Sequence, residues 1–282
     1  MKNFKSILYL ALFSYLSFSC TEVIDLELNK GDNLKIVVDA WLDNSGREQV
    51  IKLSLSTDFF DAETPSEATG AEVTVTSERT SYNFIEQEPG RYVVDGLFDG
   101  QVGETFTLEI LYKGETFTAT QKMNRIADLD NVNFVLYEVF EEEDFNPAIN
   151  PNRLDEWDIY VTFQEPEGVG DYYYFGNYNK RTGPETNLYL GEYYNDELLD
   201  GALIDNEYAT YGFYEPGDTI VTEMFSISEE VHDYLFAVDN QTDVRGFIFD
   251  APPANVPTNI SNDGKGFFIV SAVSLFEKVL EE

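Results

Sequence analysis

From Leu34 onward the chain alternates apolar and polar positions in short runs separated by turn residues. Leu34 to Leu42 is a nearly continuous apolar stretch that reads as a strand, and Gln49 to Ser56 alternates through Val50, Ile51, Leu53 and Leu55. Asp43-Asn44-Ser45-Gly46 lies between them with turn chemistry, which makes the two an antiparallel pair. Ala71 to Thr76, Tyr82 to Ile85, Arg91 to Val94, Thr105 to Tyr112 and Thr116 to Gln121 keep the same period of two. Glu88-Pro89-Gly90 and Lys113-Gly114 mark tight turns between them. Strands this short and this frequent predict a β-sandwich of immunoglobulin-like or transthyretin-like type over residues 33–125, and the missing Cys…Trp…Cys pattern argues against a true immunoglobulin domain.

The pattern breaks between Ile126 and Asp130, where a second, β-rich C-terminal domain covering 126–282 is expected to begin. Val132 to Phe140 reads as a long strand, a charged loop with Pro147 and Pro151 follows, and Trp157 to Phe163 resumes the alternation. A tyrosine-dense region comes next, with Tyr172, Tyr173, Tyr174, Tyr178, Tyr189, Tyr193 and Tyr194. One amphipathic helix is predicted: Ser226-Ile227-Ser228-Glu229 has the spacing of a capping box, and Ile227, Val231, Tyr234, Leu235 and Val238 follow at helical intervals. Gly246 to Phe249 and Gly266 to Leu275 are expected to close the sheet.

The first residues have a different pattern. Lys2 and Lys5 precede an apolar run from Ile7 to Phe18, then Ser19 and Cys20, the single cysteine of the chain. The run falls short of the roughly 20 residues a membrane-spanning helix needs, so residues 1–19 read as an export signal. A cysteine directly after such a run is where bacterial lipoproteins are cleaved and acylated. Cys20 is therefore the expected lipid-attachment site, with 20–32 as a tether. Leu16 sits one place further from the cysteine than the usual lipoprotein box has it.

Composition changes this picture in two ways. With 43% hydrophobic and 15% aromatic residues the chain can bury a real core, and with one cysteine it does so without internal disulfides. A net charge of −36 repels nucleic acid and anionic headgroups, and it favours cationic or divalent ligands when it does more than keep the protein soluble.

Several segments together resemble a known family. Ala251-Pro252-Pro253-Ala254-Asn255-Val256, then Asn259-Ile260, Gly264, Gly266, Phe267 and Phe268, resemble the C-terminal signature of Bacteroidetes outer-membrane lipoproteins catalogued as domain of unknown function 4249. Asp25-Leu26, the strand Ile36 to Ala40, Gly70-Ala71-x-Val73 with Gly90-x-Tyr92, and Pro216-Gly217-Asp218-Thr219 agree with it, while Phe267 stands where the family commonly has Tyr. The resemblance implies an N-terminal sandwich, a β-rich C-terminal part, outer-membrane location and frequent pairing with TonB-dependent receptors. It implies no established activity.

Candidate chemistry is sparse. His232 is the only histidine, which excludes a histidine-built metal site, and neither a Gly-x-Ser-x-Gly elbow nor a phosphate loop is present. Neither a cofactor nor nucleic-acid binding is expected. Asp155, Glu156 and Asp158 flank Trp157 and could serve a carboxylate-based glycan hydrolase with Trp157 as sugar platform. Asp128, Asp130 and Asn131, or Asn262 and Asp263, offer hard oxygens for calcium without the spacing of an EF-hand loop. Candidate binding residues are Tyr172, Tyr173, Tyr174, Tyr193 and Tyr194 as an aromatic surface, against the alternative that they pack a core, together with Asn255 and Asn259 in the proline-rich loop. The expectation is a non-enzymatic, lipid-anchored accessory or substrate-binding component of a TonB-dependent transport system, with a glycan hydrolase or an envelope adhesion module as alternatives.

Overall fold

The computed structural model describes residues 34–57, 65–137, 156–184, 191–242 and 256–281. In the first half these residues form β1 (Ile36–Asp43), β2 (Val50–Leu55), β3 (Glu72–Thr76), β4 (Ser81–Glu88), β5 (Arg91–Val94), β6 (Thr105–Tyr112) and β7 (Glu115–Lys122). There follow β8 (Asn131–Leu136), β9 (Glu156–Gln164), β10 (Tyr172–Asn179), β11 (Glu192–Asn195), β12 (Leu203–Phe213) and β13 (Thr219–Ile227). The helix α1 (Glu229–Thr242), β14 (Lys265–Ser271) and β15 (Val273–Val279) complete them. The protein is mainly β with one helix among the described residues, as its alternation predicts.

Eight strands form one sheet in the order β14-β1-β2-β5-β4-β3-β6-β7, in which only β1 and β14 run parallel. Their inward side chains, among them Leu42, Leu53, Tyr92, Phe106, Leu108 and Phe268, meet in a single core, so the sheet encloses it in sandwich-like fashion. A four-stranded sheet, β11-β10-β13-β15, and a three-stranded sheet, β12-β9-β8, face one another across a second core of Ile159, Val161, Phe163, Tyr173, Phe175 and Met224. A third core lies where the far face of β10 and β13 meets α1 and the outward side of β1 and β14. It holds Trp41, Tyr174, Phe225, Tyr234, Phe267 and Ile269.

This third core explains why Leu34 to Leu42 is apolar nearly throughout. Val38, Ala40 and Leu42 enter the first core while Trp41 enters the third, so the strand is buried on both faces and needs no polar side. β14 does the same, sending Phe268 and Val270 one way and Phe267 and Ile269 the other.

β14 lies well beyond residue 126, where the second domain was expected to begin, yet it pairs with β1 over Val37↔Lys265 to Asp43↔Ser271. Leu34–Glu282 accordingly form one compact unit. The expected closing strand from Gly266 to Leu275 divides at Ala272, where the Ser226 hydroxyl accepts from the Ala272 amide at 3.1 Å; β14 stays in the first sheet and β15 pairs with β13. The other expected closing strand, Gly246 to Phe249, lies outside the described residues.

The helix buries Val231, Tyr234 and Leu235 as its spacing predicts, but its cap is Ser228. The Ser228 hydroxyl accepts from the Val231 amide at 3.3 Å, satisfying one of the unpaired donors of the first turn. Ser226, the expected cap, is the penultimate residue of β13, and its hydroxyl donates to the Asn124 carbonyl at 3.1 Å. Tertiary contacts therefore extend the strand through the position where local spacing alone starts the helix.

Candidate functional site

The tyrosine-rich strands are β10 and β11, paired with Tyr173 opposite Tyr194 and Tyr174 opposite Tyr193. Alternation separates the cluster. Tyr173, Phe175 and Tyr194 face the second core, where Tyr173 lies 5.6 Å from Phe163, while Tyr172, Tyr174 and Tyr193 face α1 and Trp41. Tyr173 and Tyr174 are 3% and 2% exposed, which makes them packing residues and not a contact surface. Their hydroxyls are satisfied inside: Tyr173 donates to Glu165 Oε1 at 3.1 Å, and Tyr174 accepts from the Gly191 amide at 2.6 Å. Burial raises the pKa of both phenols. Tyr172 and Tyr193 are half-buried under the His232 ring, at 5.2 and 5.1 Å, and His232 faces the Asp233 carboxylate at 3.5 Å.

Glu165 leads to a second cluster that the sequence did not single out. Glu165 and Asp196 are buried and Asp200 is exposed, yet one carboxylate oxygen from each lies within 4.8 Å of the others. Two loops bring them together, the one after β9 and the one after β11. Each acid also closes a loop: Glu165 Oε2 accepts from the Gly201 amide at 2.5 Å, Asp196 from Gly170 at 3.0 Å and Asp200 from Gly168 at 2.6 Å. Arg125 joins from the side, bonding Asp171 at 2.6 Å and the Gly168 carbonyl at 2.6 Å. Burial, with Asp171 and Asp196 nearby, raises the Glu165 pKa. These oxygens are of the hard type that calcium takes, and among the described residues they are the group that could hold such an ion. No local motif announces them, because positions 165, 196 and 200 converge only through the fold.

The calcium candidates read from sequence resolve differently. Asp128 and Asp130 are exposed on either side of buried Leu129. Asn262 and Asp263 form a turn in left-handed conformation in which Asp263 pairs with Lys35 at 2.6 Å and Lys265 at 3.1 Å. These ammonium groups, through their hydrogen bonds, keep the Asp263 carboxyl below its ordinary range.

Trp157 cannot act as a sugar platform. It is 9% exposed, its indole donates to the Tyr214 carbonyl at 3.1 Å, and Glu156 and Asp158, by strand alternation, lie on the opposite face of β9. Asp155 lies outside the described residues. A cavity of about 170 Å³ borders Trp41, Arg47, Lys52, Arg91 and Pro184, but Arg47 is held by Asp43 and Glu223, and Arg91 by Glu48. Arg47 bonds Asp43 at 2.6 Å and Glu223 at 2.7 Å, tying the β1–β2 loop to β13. Burial pushes the Glu223 carboxyl up to about 7 against the pull of Arg47, and Asp43 adds to the rise.

The signature segments turn out to be joints. Asn259 grips the backbone of Phe268 at both ends, its amide donating to the carbonyl at 2.8 Å and its oxygen accepting from the amide at 2.9 Å. Gly266, at φ 82°, sits opposite Val38 in the β1–β14 pair, and a Cβ there would lie 2.0 Å from the Val38 carbonyl oxygen. Tyr92 is fully buried, accepts from the Ala71 amide at 3.0 Å and donates to the Ala68 carbonyl at 2.9 Å. Gly70 and Gly90, both at positive φ, donate their amides to the two oxygens of Glu86, at 2.8 and 3.0 Å. Asn255 and Cys20 lie outside the described residues.

Comparison with known proteins agrees with these segments. A family model described as Domain of unknown function (DUF4249) matches residues 21–276. No curated protein matches the chain. Among solved structures, a segment of two fibronectin type III domains from chicken tenascin is 12% identical and covers 89% of this chain and 100% of its own, with a TM-score of 0.21.

Proposed function

The chain belongs to the DUF4249 family, and from that premise we propose that it is a lipid-anchored outer-membrane protein, a non-enzymatic accessory or substrate-binding component of a TonB-dependent transport system. The observation that carries this reading is the position of Cys20. It is the only cysteine, it follows the apolar run from Ile7 to Phe18 directly, and it precedes the compact unit that begins at Leu34. An acyl chain there, with the short segment behind it as tether, would hold a folded β-unit at a membrane surface while leaving its faces accessible. The roles of Tyr92, Asn259 and Gly266 fit such a protein, since the residues that mark the family hold the fold together and leave recognition to its surface.

Fractionation of cells expressing the wild-type chain and Cys20→Ser tests the anchor. The wild type is expected with the membranes and the variant in the soluble fraction; a variant that stays with the membranes removes the lipid from the account. Purification of the wild type in mild detergent tests the partner, with a β-barrel protein in stoichiometric amount as the expected companion. Its absence, together with turnover of a glycan, would move the assignment to the hydrolase.

A further inference from the structure

The outward face of the three-stranded sheet carries an arrangement that neither the family nor the proposed anchor accounts for. Strand register puts Tyr208 opposite Tyr160, Tyr211 opposite Asp158 and Phe213 opposite Glu156, with Val135 opposite Asp158 from the other side. Partners across an antiparallel pair share a face, so these side chains stand together on the side away from the second core. Tyr208, Tyr211, Phe213 and Val135 are 37%, 41%, 51% and 47% exposed. The rings are set edge to face, Tyr160 with Tyr208 at 5.9 Å and Tyr211 with Phe213 at 6.2 Å, so ring faces as well as edges are presented.

Asp158 lies among them. Burial raises its pKa, and it has no hydrogen-bond or ion-pair partner among the described residues. The buried carboxylates Asp43, Asp171 and Glu223 are each paired with an arginine, whereas Asp158 is half-buried and has none among the described residues. On the outward positions of β8, β9 and β12 there is no lysine or arginine to serve Asp158. Aromatic faces attract cations, guanidinium groups above all, and a partly covered carboxylate beside them supplies the counter-charge. An open, flat face suits an extended chain or a protein surface more than a small molecule, which is held in concave sites.

We propose that this face docks a partner protein through an arginine- or lysine-bearing segment, with Asp158 as the ion-pair acceptor and Tyr160, Tyr208, Tyr211 and Phe213 as the stacking surface. The proposal goes beyond the membrane reading and does not depend on it, since the face is the same whether or not Cys20 is acylated.

The test uses the full chain in mild detergent and a short peptide of alternating arginine, lysine and glycine, with affinity read by calorimetry. A surface of charge −36 attracts any basic peptide, so the discrimination lies in the variants. Asp158→Asn removes one charge of that total and keeps the side chain's shape, yet it is expected to weaken binding about tenfold, which corresponds to ~1.4 kcal/mol. Tyr211→Ala with Phe213→Ala is expected to weaken it as much, and Asp233→Asn, exposed on α1, less than twofold. Carbodiimide coupling should attach the peptide's lysine to Asp158, located by mass spectrometry. Equal, small losses in all three variants would mean diffuse attraction and overturn the proposal. Binding of a neutral soluble glucan in place of the peptide, or a dimer of this chain abolished by Tyr211→Ala, would overturn it as well.

Discussion

Arg47 is the most exposing place to perturb the fold, because one guanidinium serves two buried carboxylates. Its side chain is 24% exposed while those of Asp43 and Glu223 are 4% exposed each. In Arg47→Met, Asp43 keeps the Ser45 amide at 2.8 Å, but Glu223 loses the hydrogen bond at 2.7 Å and retains no other partner among the described residues. Removing one member of a buried pair costs ~3–5 kcal/mol, since the remaining charge is left without water or counter-ion. The loss should depend on pH. The Glu223 pKa in the folded wild type, about 7, is raised above the ordinary glutamate value of 4.5. The group therefore favours the folded state with its proton bound, and that stabilisation is complete below the unfolded value and lost as pH rises through the folded one. Without the cation the folded value rises further, so Glu223 stays protonated to higher pH. The variant's deficit should then be largest near pH 8 and smaller by ~1–2 kcal/mol near pH 5.5, where Glu223 is largely protonated in both proteins. Urea unfolding followed by tryptophan fluorescence measures this, and Trp41, 5.4 Å from Phe225, reports on the third core. The double variant Arg47→Met, Glu223→Met should recover most of the loss. A deficit below ~1 kcal/mol at pH 8, or one equal at both pH values, would show that burial of Glu223 is not what sets the energy of this triad.

Two further substitutions separate packing from pairing. Tyr92→Phe keeps the ring but leaves the Ala71 amide and the Ala68 carbonyl unpaired, so unfolding free energy should fall by ~1–3 kcal/mol, with no change in the denaturant slope; no measurable loss would mean water replaces the hydroxyl. Gly266→Ala places a methyl against the Val38 carbonyl at positive φ and should destabilise by more than ~2 kcal/mol, or prevent accumulation of the protein, whereas Gly46→Ala, also at positive φ but with open space around it, should cost ~1 kcal/mol. Equal losses at the two glycines would mean that backbone strain, and not the closeness of β1, decides the outcome.

The strands were legible because most of them bury one face, and the period of two reports that directly. β6 is the clearest case, its predicted bounds from Thr105 to Tyr112 being those observed. The helix was legible for the same reason at its own period, while its start was not, since Ser226 and Ser228 both offer a capping hydroxyl and the pairing of β13 with β10, which runs through Ser226 and Ile227, decides between them. The tyrosines misled because density of aromatics says nothing about side; the register of β10 against β11 and β13 sends neighbours into different cores. Tyr160, Tyr208, Tyr211 and Phe213 were passed over for the converse reason. Written in line, outward aromatics on strands look like core, and their exposure follows only from which sheet they end in. The acids at 165, 196 and 200 had no signal at all, being ordinary turn residues until two loops meet.

The parallel pairing of β1 with β14 has a consequence for the order of events in the life of the chain. A ribosome releases β1 first and β14 more than two hundred residues later. Until then the first strand has one hydrogen-bonding edge open, and the first core lacks Phe268 and Val270. The contact that closes the sheet on this side is thus the most distant in sequence, the kind whose loop-closure cost slows folding. A chain cut short before Lys265 would keep that edge bare. β14 therefore does two things at once, filling the first core and covering the edge that β1 would otherwise present to another strand.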